Sequence, residues 1–308
     1  MIRCQGLSHR YGDRLALDRL DLHVGAGEAF AFIGPNGAGK TTTIRILATL
    51  LEPSEGEAFV AGCSVLDDPD EVRRVLGYMP DSFGVYDGMR VWEYLEFFAA
   101  AYRLPRADRS RTIADVLDLT DLGTRRDANI EHLSKGMKQR LCLAKTLLHD
   151  PRVLVLDEPA SGLDPRARID LKELLRELLR MGKTLFVSSH ILPELADFCT
   201  TVGILEAGRL LASGRVEDVV AAVNRGRPMR LKVLRDLERA GTLVQETPGA
   251  DRVRVADGLL HFDFSGPLED LAELAERVAA ERLGLVEFAE EKTDLEDVFM
   301  RVTRGVVA

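Results

Sequence analysis

Short runs of consecutive apolar residues recur along the first two thirds of the chain. Ala29-Phe30-Ala31-Phe32-Ile33 enters a glycine-rich turn, Val153-Leu154-Val155-Leu156 runs up to two carboxylates, and Thr184-Leu185-Phe186-Val187 follows a stretch of helical spacing. Apolar runs of that length, with no polar alternation, predict strands buried on both faces of a mostly parallel sheet. The helix between the last two is marked at both ends: Asp164 is placed to cap it, Pro165 takes its first position and Gly182 ends it. Leu171, Leu174, Leu175, Leu178 and Leu179 fall on one face of it. The segment from Ile2 to Val24 and the turn at Gly208 read instead as antiparallel ribbons.

The rhythm changes at Asn224-Arg225-Gly226-Arg227-Pro228, a linker composition. Beyond it Met229, Leu231 and Val233 alternate with charged residues, as do Val253 and Val255, and then Leu260, Phe262 and Phe264. A helical pattern from Pro267 carries Leu268, Leu271, Leu274, Ala275 and Val278, and Leu283-Gly284-Leu285-Val286 reads as a last strand. The expected organisation is an α/β domain over residues 1–222 and a small α+β domain, of split βαβ type, over residues 229–308.

Composition narrows the possible functions. The 308 residues carry a net charge of -9, which disfavours duplex nucleic acid as the main partner because such binders carry a basic stripe. No stretch approaches the roughly 18 apolar residues of a membrane span, and the segment from Met1 to Gln5 lacks the apolar centre of a secretory signal. Cys4, Cys63, Cys142 and Cys199 are far apart, as expected of reduced thiols in a cytoplasmic protein.

The chemistry enters at Gly34-Pro35-Asn36-Gly37-Ala38-Gly39-Lys40-Thr41, which fits G-x-x-x-x-G-K-[ST] between an apolar strand and a helix. Glycines let successive backbone N–H groups close around phosphate oxygens, and the helix dipole adds a favourable field. Lys40 is suited to reach the β- and γ-phosphates, and Thr41 to offer its hydroxyl to Mg²⁺. At the end of the second apolar run, Asp157 is suited to Mg²⁺ or its water shell and Glu158 to polarise an attacking water. Together these elements imply a Mg²⁺-dependent nucleoside triphosphatase. They do not separate kinases, small GTPases, helicases and transport ATPases.

Leu133-Ser134-Lys135-Gly136-Met137 precedes an apolar helix, and here the chain resembles the ATP-binding cassette (ABC) ATPases. The segment is similar to that family's LSGGQ signature, with Lys135 in place of the first glycine and Met137 in place of the glutamine. Ser161-Gly162-Leu163-Asp164 resembles the family's D-loop, His190 its switch histidine at the γ-phosphate, and Tyr11 the aromatic that stacks on adenine. One position departs from the pattern: Asp81 stands where the family's Q-loop carries a glutamine that binds Mg²⁺ and senses the transport subunit.

The resemblance covers about residues 1–220. It implies a P-loop cassette in which a mostly parallel sheet is joined by an antiparallel β-subdomain and a helical subdomain, followed by the small C-terminal domain. It implies ATP and Mg²⁺ as cofactors. The nucleotide would be held by Tyr11, the loop from Gly34 to Thr42, and Ser134 and Gly136 of a second copy; the metal by Thr41, Asp157 and Asp81; and catalysis by Glu158, His190 and Lys40.

One P-loop and one signature per chain imply a homodimer or a pairing with a similar cassette. The membrane-spanning transport subunit would be a separate chain, with this one on the inner face of the cell membrane. The aromatic stretch from Val91 to Phe98 is either core or a groove for a helix of that subunit. The tail from Thr293 to Met300 is similar to that of exporter ATPases, so export is the leading expectation. An importer ATPase with a regulatory C-terminal domain, or a soluble non-transport ABC ATPase, are the alternatives.

Overall fold

The computed structural model describes residues 1–82, 84, 88–189, 198–223, 226–291, 299 and 303. Residues 1–216 form one compact unit and residues 217–301 another.

The first unit opens with β1 (Ile2–Tyr11) and β2 (Arg14–Val24), an antiparallel hairpin, followed by β3 (Ala29–Ile33) and α1 (Lys40–Leu47). Then come β4 (Glu55–Val60), β5 (Cys63–Ser64), α2 (Pro69–Val75) and β6 (Leu76–Met79). Helices α3 (Val91–Ala101), α4 (Arg106–Leu119) and α5 (Lys135–Leu147) lead to β7 (Val153–Asp157), α6 (Pro165–Arg180), β8 (Thr184–Ser189), β9 (Thr201–Glu206) and β10 (Arg209–Arg215).

Two sheets result. One is antiparallel, in the order β2-β1-β4-β5, and the other is six-stranded, in the order β10-β9-β3-β8-β7-β6. The second is parallel except for its edge strand β10, which runs antiparallel to β9. Strands β3, β7 and β8 are buried at every position, which is why their sequences are uninterrupted apolar runs. Phe30 and Phe186, on adjacent strands, stack at 5.4 Å in a core shared by both sheets.

Local signals explain where the helices start. The Asp164 carboxylate accepts the backbone N–H of Ala167 at 2.9 Å, and Pro165 opens α6. Leu171, Leu175 and Leu178 form its buried face, with Leu174 and Leu179 at the margins. Ser134 caps α5 by accepting the N–H of Met137 at 3.2 Å. Helix α3 has two faces. Tyr94 and Leu95 are buried, whereas Phe97 is 51% exposed.

Helix α7 (Val216–Val223) leads into the second unit, where β11 (Arg227–Val233), α8 (Leu237–Glu246), β12 (Ala250–Ala256), β13 (Leu259–Phe264), α9 (Leu268–Ala280) and β14 (Leu285–Glu290) follow a βαββαβ order. The strands pair antiparallel in the order β12-β13-β11-β14. Leu231, Leu260, Phe262 and Phe264 pack with Leu243, Val244, Leu274 and Val278 in its core. The last strand starts later than the sequence pattern suggests. Gly284 takes the left-handed conformation (φ 74°), Leu283 is buried before it, and pairing begins at Leu285.

Candidate functional site

The phosphate-type loop joins the buried end of β3 to α1, and three of its glycines are required by shape. A Cβ on Gly34 would run into the carbonyl oxygen of Leu205. Gly37 and Gly39 have φ values of 80° and 110°, in the region that side chains disfavour. Inside the turn the N–H of Ala38 donates to the Pro35 carbonyl at 3.1 Å, and the Ala38 carbonyl accepts the N–H of Gly208 at 2.9 Å. The loop is therefore tied to the β9–β10 turn.

Lys40, the first residue of α1, is 6% exposed. Its ammonium donates to the carbonyls of Gly34 at 2.6 Å and Pro35 at 3.2 Å, and lies 3.7 Å from Oε1 of Glu158. Burial pushes its pKa below the usual lysine value, while the carboxylates of Glu158 and Asp157 work against that shift. The cation is held where an anion would relieve its desolvation.

The two carboxylates stand at the end of β7, next to β8. Asp157 is 1% exposed and accepts a hydrogen bond from Ser188 Oγ at 2.6 Å. The Glu158 N–H donates to both Ser188 Oγ at 3.0 Å and the Ser188 carbonyl at 3.2 Å. Glu158 itself has a φ of 48°, an unfavourable conformation for a residue with a side chain. Such strain collects at functional positions, and here it turns the Glu158 side chain toward Lys40 while Asp157 stays buried.

A cleft of about 500 Å³ lies over this loop, a size common for small-molecule sites. Of the residues anticipated from sequence, Tyr11, Asn36, Gly37, Gly39, Lys40, Thr41, Thr42, Asp81 and Glu158 line it. Gly34, Pro35, Ala38 and Asp157 are not in its lining; Ala38 and Asp157 are buried. Ser134 and Gly136 do not line it either. They open α5, where a Cβ on Gly136 would meet Leu163 and Ala167, and the Lys135 ammonium lies against Gly162. The signature-like turn and the D-loop-like segment are thus in contact. His190 lies outside the described residues.

The sequence motifs do not point to three further participants. Arg14 and Arg45 line the cleft, and Ser188 links the Asp157 carboxylate to the backbone N–H of Glu158. Arg14 pairs directly across the hairpin from Tyr11, a register that composition does not reveal. Ser188 carries a faint signal as part of the Ser188-Ser189-His190 strand end. Among the described residues no three His, Cys, Asp or Glu side chains gather into a metal cage, and no helix is long and apolar enough to cross a membrane.

A sequence-family profile described as ABC transporter matches residues 17–161. The chain is 32% identical over 308 residues, covering 98% of its length and 97% of the relative's, to a Nod factor export ATP-binding protein I of Cupriavidus metallidurans. Among solved structures, the ATP-binding subunit of an ABC transporter is similar at a TM-score of 0.66 and 33% identity, covering 72% of this chain and 92% of that one. The ATP-binding cassette MJ0796, solved as a post-hydrolysis dimer bound to ADP and Pi, is similar at a TM-score of 0.63 and 25% identity, covering 70% and 98%. The chain accordingly belongs to the ABC transporter family, as an ATP-binding subunit whose cassette hydrolyses ATP.

Proposed function

We propose that this chain powers an exporter, working as a homodimer beneath a membrane subunit carried on a separate polypeptide at the inner face of the membrane. Similarity along almost the whole length of an export ATP-binding protein supports the direction, because it includes the region beyond the cassette. The observation that carries the chemistry is the cleft, which gathers Tyr11, Lys40, Thr41, Asp81 and Glu158 around a loop of backbone N–H groups.

In this reading the exposed ring of Tyr11 stacks on adenine, and the loop from Gly34 to Thr42 cradles the phosphates. Lys40 exchanges its contacts with the Gly34 and Pro35 carbonyls for the β- and γ-phosphate oxygens. The donor set suits Mg²⁺, a hard cation: the Thr41 hydroxyl and the Asp81 carboxylate in the cleft, with Asp157 buried at the adjoining strand end, would hold it directly or through water. When bound, Mg²⁺ neutralises charge on the transferring phosphoryl group. The Glu158 carboxylate orients the attacking water and accepts its proton, and His190 steadies the γ-phosphate. The barrier falls chiefly through positioning and electrostatics.

Ser134 and Gly136 do not line the cleft of their own chain, which supports a site completed by the α5 N-terminus of a second copy. ATP then joins the two chains and hydrolysis releases them. Glu158→Gln is the test. With ATP and Mg²⁺ it should accumulate as a dimer in light scattering while phosphate release is lost. Normal turnover would remove Glu158 from the role of base, and a monomer under those conditions would remove the dimer.

The division into an ATP-binding domain over residues 1–222 and an accessory domain over residues 229–308 belongs to the same proposal. The two compact units support a two-part division, with the break after residue 216 rather than at 222. A chain ending at residue 223 should retain ATP hydrolysis.

A further inference from the structure

His9 is a buried histidine with an unusual placement. It is 8% exposed, and its Nδ1 is buried with no hydrogen-bond partner among the described residues. A buried nitrogen left unpaired is costly, so the ring's place needs a contact other than a hydrogen bond at Nδ1 to hold it.

The ring's neighbour supplies one. His9 and Tyr11 are two residues apart on β1. Their rings meet in a T-shaped contact, with centroids 4.6 Å apart and planes at 74°. Tyr11 is 45% exposed at the cleft, whereas His9 is not part of its lining. The exposed ring therefore stands on a buried one.

The backbone explains how His9 reaches that position. Regular alternation would turn one of two successive residues outward, yet Ser8 and His9 are both buried. The β1–β2 register shifts on both sides of His9, between Leu7 and His9 and again between His9 and Arg10. Irregularities of this kind re-aim side chains and are frequent beside functional sites. This one brings His9 inward, under Tyr11.

We infer that His9 is a positioning residue for nucleotide binding: its ring fixes the plane of Tyr11, so that the tyrosine presents its face to the base. Edge-to-face geometry limits rotation of the upper ring in a way that an aliphatic side chain of similar bulk does not. The inference rests on the proposal that Tyr11 stacks on adenine. It predicts an effect on ATP affinity that passes entirely through Tyr11.

The experiment compares His9→Leu, His9→Phe, Tyr11→Ala and the double variant Tyr11→Ala/His9→Leu in the full chain, by KM for ATP and kcat for phosphate release. His9→Leu keeps an apolar filling, and a thermal melt confirms that it folds. It should raise KM roughly three- to tenfold, the scale of an aromatic pair, with kcat unchanged. His9→Phe, which restores a ring, should stay within about twofold of the wild-type KM. His9→Leu should add nothing to Tyr11→Ala, since the two act as one unit.

If Tyr11→Ala leaves KM unchanged, the stacking proposal fails and this inference with it. If Tyr11→Ala raises KM but His9→Leu does not, the inference alone fails. Equal effects of His9→Leu and His9→Phe would overturn it, because volume rather than ring orientation would then matter. So would a further KM increase in the double variant, because His9 would then act by another route.

Discussion

Ser188 donates its hydroxyl proton to Oδ1 of Asp157 across 2.6 Å, and that carboxylate is 1% exposed. The two residues are direct partners in the register of adjacent parallel strands. The same hydroxyl oxygen accepts the N–H of Glu158, so one side chain fixes both acidic residues at the strand end.

Replacing Ser188 with alanine should therefore affect folding and turnover together. A hydrogen bond to a charged group contributes about 1.5–3 kcal/mol, and its loss leaves a buried carboxylate short of a partner. Urea unfolding should show a loss in that range. At saturating ATP and Mg²⁺, kcat should fall by roughly one order of magnitude, because Glu158 loses one of the two bonds that set its backbone and keeps the one to the Ser188 carbonyl.

Gly39→Ala should lose nucleotide binding. The glycine has a φ of 110°, and a methyl group there would stand 2.7 Å from the Ala16 carbonyl oxygen and 2.7 Å from Cδ2 of Leu17. The backbone oxygen has little room to yield, so the loop itself must move. Gly27 is the control: it is also left-handed (φ 71°) but has open space around its Cα. Gly27→Ala should cost about 1–2 kcal/mol of stability and leave ATP binding intact, as calorimetric titration would show.

Asp81 lines the cleft and carries a full charge where a neutral amide is usual in the family. If it helps to hold the metal, Asp81→Ala should raise the Mg²⁺ concentration for half-maximal hydrolysis several-fold. Asp81→Gln, which keeps one oxygen donor without the charge, should fall between that variant and the wild type. Titrating activity against free Mg²⁺ at fixed ATP reads this directly, and identical curves for all three would remove Asp81 from the metal site.

The thiols make a prediction about alkaline pH. Burial pushes the Cys4 thiol from 9.0 up to about 12, with the Asp21 charge adding to the shift, and burial also raises Cys142 and Cys199. A group whose pKa is higher in the folded state holds its proton there longer than in the unfolded chain. Its stabilising contribution is therefore complete below pH 9.0 and is lost as pH rises toward about 12. Urea midpoints should decline over that window, and Cys4→Val should make the decline shallower. At pH 8 a thiol reagent should modify Cys63, which is half-buried, well ahead of the three buried cysteines.

Features carried by neighbouring residues are legible in the chain alone. The buried strands β3, β7 and β8 are written as apolar runs, the α6 cap as Asp164-Pro165, and the phosphate loop as its own glycine spacing. Those signals are short-range, so the chain fixes them locally. The start of β14 departs from its pattern because Leu283 and Leu285 look alike in sequence, whereas the left-handed turn at Gly284 separates a buried core residue from an exposed strand residue.

The fold class, and the loop, lysine and carboxylates that form the cleft, follow from the order of residues along the chain. Which side chains stand beside them follows from how distant segments meet. Ser188 meets Asp157 across 31 positions of chain because a parallel crossover sets the two strands in register. Arg14 lines the cleft opposite Tyr11 through the tight local turn at Gly12 and Asp13, whereas His9 meets that tyrosine because the β1–β2 register is irregular there. Strand pairing and its irregularities depend on contacts between distant segments, and no local pattern encodes which residues those contacts bring together.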